Sequence, residues 1–344
     1  MEKLLNVRYE WLDILKGIGI LLIMLYHSSI RIPSIDIFLY ACYIPLFFIA
    51  SGFTFRRKPV KTLLIEKSKR LLLPYFIYGA IFTFIHFLNH YRLGDLDPAY
   101  YQRWIGLLYA RLTLFSYPCE GNVKFLVDGP LWFLPALFLT CLLGNFYLGL
   151  TRAKRIIFIL FSLFFSIFCQ RLPFYLPWSI DEIFLASLFL IIGYYFKTYC
   201  FHVEDAHSAT VKNLQIALPV CVLYIILVYI NGDVNMAFRH YGILGSVSIY
   251  LFLLIGPLGT FLWYTISKAL QGRLIGRFLS VVGRNSLRLM CIHIPFYEFS
   301  HTLGGHCNHI LSSFISIGLC IVISIFIDKM IGRYESKVSF LRFL

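Results

Sequence analysis

The sequence predicts an all-α, polytopic integral membrane protein of about ten transmembrane helices, with both termini cytoplasmic. Three observations predict it. Hydrophobic residues make up 59% of the 344-residue chain and charged residues only 14%, against about a quarter charged in a soluble domain; too few polar side chains are present to coat a water-facing surface. Apolar runs recur at spanning length, about 20 residues each. Lys and Arg gather in alternate connections, as the inside excess of basic residues requires.

The runs fall at roughly 12–30, 36–54, 71–91, 131–150, 156–171, 178–197, 214–230, 243–264, 281–301 and 308–331, and together make one transmembrane domain over 1–344. The first run holds Lys16, and no small-residue cleavage site follows it, so it is expected to stay as a span rather than leave as a signal peptide. Inside connections carry clusters such as Arg56, Arg57, Lys58, Lys61, Lys67, Lys69 and Arg70, whereas the outer ones hold only Arg31, Arg92, Arg103, Arg111, Lys124, Arg171 and Arg239. The net charge of +14 is therefore mostly a topology signal, and nucleic acid is not expected as a partner. Within the long outer connection at 92–130, Trp104, Leu107, Leu108, Arg111 and Leu112 repeat at helical spacing, which predicts a helix lying on the outer leaflet. The nine Cys are scattered without a CxxC pair; Cys119 and Cys307 both fall outside and could pair.

The first span, "LDILKGIGILLIMLYH", carries Asp13, Lys16 and His27. Each ionisable group costs at least a few kcal/mol in hydrocarbon unless it faces protein or a water-filled cavity. Eleven residues turn a helix through about three full turns, so Lys16 and His27 share a face about 16 Å apart along the axis. Asp13, one turn before Lys16, can pair with it, and Gly17 and Gly19 leave room for close approach. The alternative is a structural ion pair plus an interfacial histidine.

In "YIPLFFIASGFTFRRK", Pro45 is expected to bend the second span, and Ser51-Gly52 to open its backbone beside the basic cluster. That arrangement is a candidate cradle for phosphates, formed by Ser51, Arg56, Arg57, Lys69 and Arg70; positive-inside topology explains the same charges. Trp132 and Phe133 either stack on an acceptor or belong to an interfacial aromatic belt. Asp181 and Glu182 either hydrogen-bond a sugar or cap a helix N-terminus. His293, on the segment of Arg284 and Arg288, is either a satisfied interior histidine or a catalytic partner. His301, His306, Cys307 and His309 have no recognised metal spacing, so no metal is expected.

These stretches resemble the membrane-bound acyltransferase-3 family. Its basic residue, ten residues, then His in the first span is matched by Lys16 and His27. "PLFFIASGF" (Pro45 to Phe53), "KRLLLPYF" (Lys69 to Phe76), "GPLWFLPALF" from Gly129, and "VGRNSLRLMCIHIPF" with Asn285, Ser286, His293 and Pro295 follow in family order. Pro45 stands where many members have Asp, and the form is more similar to the sugar O-acetylase branch typified by fucose 4-O-acetylase. The resemblance implies transfer of an acyl group, usually acetyl from acetyl-CoA, onto a carbohydrate or lipid-linked glycan hydroxyl. No permanently bound cofactor is implied, and the setting is a bacterial cytoplasmic (inner) membrane. His27 is then the general base, or forms an acyl-His intermediate. Lys16 orients it or meets CoA phosphates, Asp13 holds Lys16, and Asn285, Ser286 and His293 support. A proton-coupled transporter of a small polar solute is the rival class, although no second copy of the Lys-to-His pattern accompanies the first. A homo-oligomer is compatible with either.

Overall fold

The computed structural model describes residues 8–28, 30, 32–92, 100–111, 129–200, 206–303 and 309–334. The helices in chain order are α1 (Glu10–His27), α2 (Pro33–Tyr40), α3 (Tyr43–Thr54), α4 (Val60–Lys67), α5 (Leu73–Arg92), α6 (Tyr100–Tyr109) and α7 (Phe133–Gly149). They continue as α8 (Arg152–Gln170), α9 (Ile180–Tyr195), α10 (Ala206–Asn231), α11 (Val247–Leu270), α12 (Leu274–Arg284), α13 (Ser286–Leu303) and α14 (His309–Tyr334). A π turn, Ser68–Leu72, joins α4 to α5, and a 3₁₀ turn, Gly129–Trp132, leads into α7.

Among the described residues, six stretches are long and apolar enough to cross a membrane: Ile35–Thr54, Pro130–Gly149, Arg152–Gln170, Pro177–Tyr199, Val247–Leu270 and Ile310–Met330. The chain is an all-α, multi-pass membrane protein. In α1, Glu10, Asp13 and Lys16 dilute the apolar run, yet Leu12, Ile14, Leu15, Ile20 and Met24 are all buried. Its charges therefore face protein, as charge in a membrane requires. α8 is the opposite case. Phe158, Ser162, Ser166 and Cys169 form its only buried stripe, while Ile156, Leu160, Phe161, Phe164 and Phe168 face outward. Both serine hydroxyls donate to the carbonyls four residues earlier, so the buried stripe pairs its hydroxyls within the helix.

Glycines decide how closely the central helices meet. A Cβ on Gly17 would lie 2.1 Å from the Leu279 carbonyl oxygen, and one on Gly283 would lie 1.8 Å from that of Asp13. α1 and α12 thus touch backbone to backbone. α3 and α9 do the same, with Gly52 against the Leu190 carbonyl and Gly193 against that of Ile49. With little hydrophobic drive between helices in lipid, such small-residue contacts supply the van der Waals energy that holds them.

Three local expectations change. The second run is broken at Ala41–Cys42 between α2 and α3 rather than at Pro45, which sits in the first turn of α3, where its missing N–H has no partner to lose. The run at 281–301 is two helices meeting at Asn285. Gly17 and Gly52 admit other helices, not a ligand.

Gly283→Ala should therefore force α1 and α12 apart and cost about 1–3 kcal/mol, the usual penalty of overpacking. Thermal unfolding in detergent checks this against Gly318→Ala, a position where an added Cβ meets nothing within 4 Å and no loss is expected.

Candidate active site

The N-terminal half of α1 borders a cavity of ≈ 530 Å³, walled by α3, the π turn, α7 and the α12–α13 break. Lys67, Arg70 and Leu71 reach it from one face of the π turn region, at i, i+3 and i+4. Arg8, Asp13, Lys16, Ser51, Thr54, Arg284, Asn285, Ser286, Arg288 and Asp328 complete its described polar lining. Arg8 donates from Nε to Asp13 Oδ2 at 2.6 Å. Arg288 lies 3.8 Å from Asp328 and donates to Asn285 Oδ1 at 2.7 Å and to the Ser324 carbonyl at 2.9 Å. No carboxylate pairs with Lys16, Lys67, Arg70 or Arg284 among the described residues. Four unneutralised cations around one cavity make a strong site for a polyanion.

At the other end of α1, His27 opens onto a cavity of ≈ 200 Å³ lined by Tyr26, Tyr43, Ile44, Pro130, Trp132, Asn235, Ala237 and Phe238. Phe47, Phe133 and Met290 line both cavities, so a wall one side chain thick separates them. Phe47 and Phe133 meet edge-on, ring centroids 6.0 Å apart.

His293 of α13 stands behind His27 with ring centroids 5.4 Å apart. Its Nδ1 lies 2.9 Å from the Leu289 carbonyl, which can only accept, so the neutral ring carries its proton on Nδ1. Nε2 is then a lone-pair acceptor, fully buried and without a hydrogen-bond partner among the described residues. Tyr297, one turn later, donates to the Met24 carbonyl at 2.8 Å and locks α13 onto α1.

Asp181 and Glu182 stand in the first turn of α9, as the helix-start reading expects, and meet two guanidiniums there. Both are fully buried. Arg111 donates Nη2 to Asp181 Oδ2 at 2.8 Å and Nη1 to Glu182 Oε1 at 2.7 Å, and Arg239 Nε lies 3.5 Å from Asp181 Oδ2. The Tyr175 ring is flanked by both guanidiniums, at 4.4 and 4.3 Å. The four described non-glycine residues with left-handed backbone, Ala110, Trp178, Ser179 and Arg239, all border this ion knot. Each such residue costs on the order of 1–3 kcal/mol and persists only where surrounding contacts hold it.

Of the sequence candidates, Asp13, Lys16, Ser51, Arg70, Asn285 and Ser286 meet at the first cavity, and His27 and Trp132 at the second. His293 backs His27. Asp13 accepts its hydrogen bond from Arg8 rather than from Lys16. Arg56, Arg57 and Lys69 are exposed and outside the lining. Asn145 of α7 pins the segment after α3, accepting from the Lys58 N–H at 2.9 Å and donating to its carbonyl at 3.0 Å, which lays Arg57 over Gly149. Arg8, Lys67, Arg284 and Arg288 were not assigned to the site from sequence; the last two carried a signal, as charges inside a span. Arg111, expected on the lipid surface, is buried. Cys119, His306 and Cys307 lie outside the described residues, and no metal-holding cluster occurs among those described.

A model for the acyltransferase domain of one family, acyltransferase-3, matches residues 9–329. The chain belongs to the acyltransferase-3 family. It is a multi-pass membrane acyltransferase, and the matched stretch takes in both cavities and the ion knot. Comparison with curated proteins and with solved structures finds no match.

In this acyltransferase-3 protein, Arg111→Ala would leave Asp181 and Glu182 buried beside Arg239 alone. A loss of about 3–5 kcal/mol is expected, the cost of removing one partner from a buried ion pair. Thermal or denaturant unfolding in detergent measures it, with Lys154→Ala, at an exposed position of α8, as a comparison expected to lose far less.

Proposed function

We propose that this acyltransferase moves an acyl group, most simply acetyl, from acyl-CoA held at the Lys16 cavity to a carbohydrate hydroxyl held at the His27 cavity. The observation that carries it is the pair of cavities at opposite ends of α1, sharing a wall of Phe47, Phe133 and Met290. One cavity is cationic and polar. The other is aromatic, with His27 and Asn235 as its hydrogen-bonding groups beside two tyrosines. Positive-inside topology puts the first on the cytoplasmic side, where acyl-CoA is made, and the second on the outside, where the glycan is reached.

Lys16, Lys67, Arg70 and Arg284 bind the diphosphate and ribose phosphate of the donor as charge-assisted partners. The pantetheine arm runs toward the Phe47–Phe133–Met290 wall, which shifts to let the thioester reach His27. His27 removes the acceptor hydroxyl's proton as the oxygen attacks the thioester carbonyl. The carbon–oxygen bond forms, the carbon–sulfur bond breaks, and CoA leaves as a thiolate that regains a proton. A hydroxyl is a poor nucleophile at neutral pH, and a positioned base is worth about 10²–10⁴-fold. His293, its ring centroid 5.4 Å from that of His27, offers its Nε2 lone pair to the ring that becomes cationic, the part a carboxylate plays in a Ser-His-Asp triad.

Radiolabelled acetyl-CoA incubated with purified protein and a panel of glycans tests the reading through label on the glycan. His27→Ala should insert and fold but transfer about 10²–10⁴-fold more slowly, with acetyl-CoA binding retained; near-normal turnover would end the assignment. His293→Ala should lower turnover less and leave the donor KM unchanged.

The donor site has its own test. Arg70→Ala and Lys67→Ala should each weaken acetyl-CoA binding by about 1.5–3 kcal/mol, read as donor KM. Arg56→Ala and Arg57→Ala should leave it alone. An unchanged donor KM in folded Arg70→Ala and Lys67→Ala proteins would return those two residues to a topology role.

A further inference from the structure

Among the described residues, the lining of the second cavity contains no carboxylate, ammonium or guanidinium. Its ionisable groups are His27, Tyr26 and Tyr43, and its aromatic faces come from Trp132, Phe133 and Phe238. At ≈ 200 Å³ it is smaller than the roughly 300–1,000 Å³ of pockets for drug-sized ligands. One wall is a short hairpin, closed by backbone bonds between Asn235 and His240 at 2.7 and 3.1 Å. Asn235, Ala237 and Phe238 of that hairpin line the cavity.

The hairpin seats Met236 in the hydrophobic core, and the ion knot grips its backbone carbonyls from outside. Arg111 Nη1 donates to the Ala237 carbonyl at 3.3 Å, and the Tyr175 hydroxyl donates to the Phe238 carbonyl at 3.3 Å. Arg239 donates to the Leu172 carbonyl at 3.0 Å and to that of Cys169. Tyr175 is itself held by Tyr109, which donates to its carbonyl at 2.6 Å. The Asn235 amide donates to the Tyr26 hydroxyl at 3.3 Å, orienting it beside His27. With two guanidiniums and two carboxylates, the knot carries no net charge.

We propose that the Arg111–Asp181–Glu182–Arg239 knot is a positioning device for the acceptor. It holds the 235–240 hairpin as a wall of the His27 cavity, and the pocket so formed takes one uncharged terminal sugar ring. The ring's C–H face lies on the aromatic side chains and its hydroxyls meet Asn235 and His27. An acidic sugar would bring a carboxylate into a lining with no cation to meet it, at a desolvation cost the site does not offset. The inference rests on the acyl-transfer reading for the use of the bound ring, but binding of the ring can be measured without transfer.

The experiment uses the full chain in nanodiscs with methyl glycosides of a neutral hexose and of the corresponding uronic acid. Binding is read by titration calorimetry and transfer by label from acetyl-CoA. Tyr175→Phe keeps both cation–ring contacts and removes only the hydroxyl that grips the hairpin. It should raise the KM and Kd for the neutral glycoside roughly 2–10-fold, the worth of one hydrogen bond, with the donor KM unchanged. Arg239→Lys should do the same more strongly. The uronic glycoside should bind at least 10-fold more weakly than the neutral one to the wild-type chain. Tyr175→Phe that binds the glycoside as wild type does, or that raises both KM values equally, would overturn the positioning role. Preference for the uronic glycoside would overturn the substrate class. Glycoside binding that follows these expectations without any transfer would sink the acyl-transfer reading alone.

Discussion

The contact on which the site depends is the one between the backbones of α1 and α12 at Gly17 and Gly283. An ordinary helix pair keeps its axes 8–10 Å apart; two facing glycines remove the side chains that would hold these backbones away from each other. The α12–α13 break at Asn285 is thereby set against Lys16, and α13 runs on along α1 until His293 stands behind His27. One glycine pair thus fixes both chemical ends of the first helix. Charge enters a membrane-embedded bundle cheaply only where protein or water surrounds it, and here the close packing leaves cavities at the two ends rather than along the seam.

The two cavities divide the physical problem. An excess of positive charge at the first suits a polyanion that must be drawn from solution. Aromatic faces with a few amide and imidazole groups at the second suit discrimination between neutral rings by shape. Phe47, Phe133 and Met290 stand between the two. The strained, fully buried ion knot behind the outer cavity fits the same logic, since local strain survives only where surrounding contacts over-determine the backbone.

Much of this was legible in the sequence. Composition and run length gave the membrane class, and Lys16 and His27 stood out because charge in a span demands an explanation and helical geometry puts the two on one face. What stayed hidden was long-range. Nothing local distinguishes Arg70, which turns into the cavity, from Arg56 and Arg57, which the Asn145 clamp on Lys58 turns away. Arg111 sat at amphipathic spacing and read as a lipid-surface residue, because its partners lie some seventy residues further on. Asp181 and Glu182 at a helix start looked like caps for the same reason. Gly17 signalled close approach correctly, but not that the visitor is α12.

The central claim is that donor and acceptor meet through α1 from opposite faces of the membrane. Proteoliposomes with the chain in one orientation, given membrane-impermeant radiolabelled acetyl-CoA on one side and an impermeant neutral glycoside on the other, test it most directly. Labelled glycoside is expected only with acetyl-CoA on the Lys16 face and glycoside on the His27 face, and His27→Ala should abolish it. Equal labelling with both substrates confined to a single face would contradict the account.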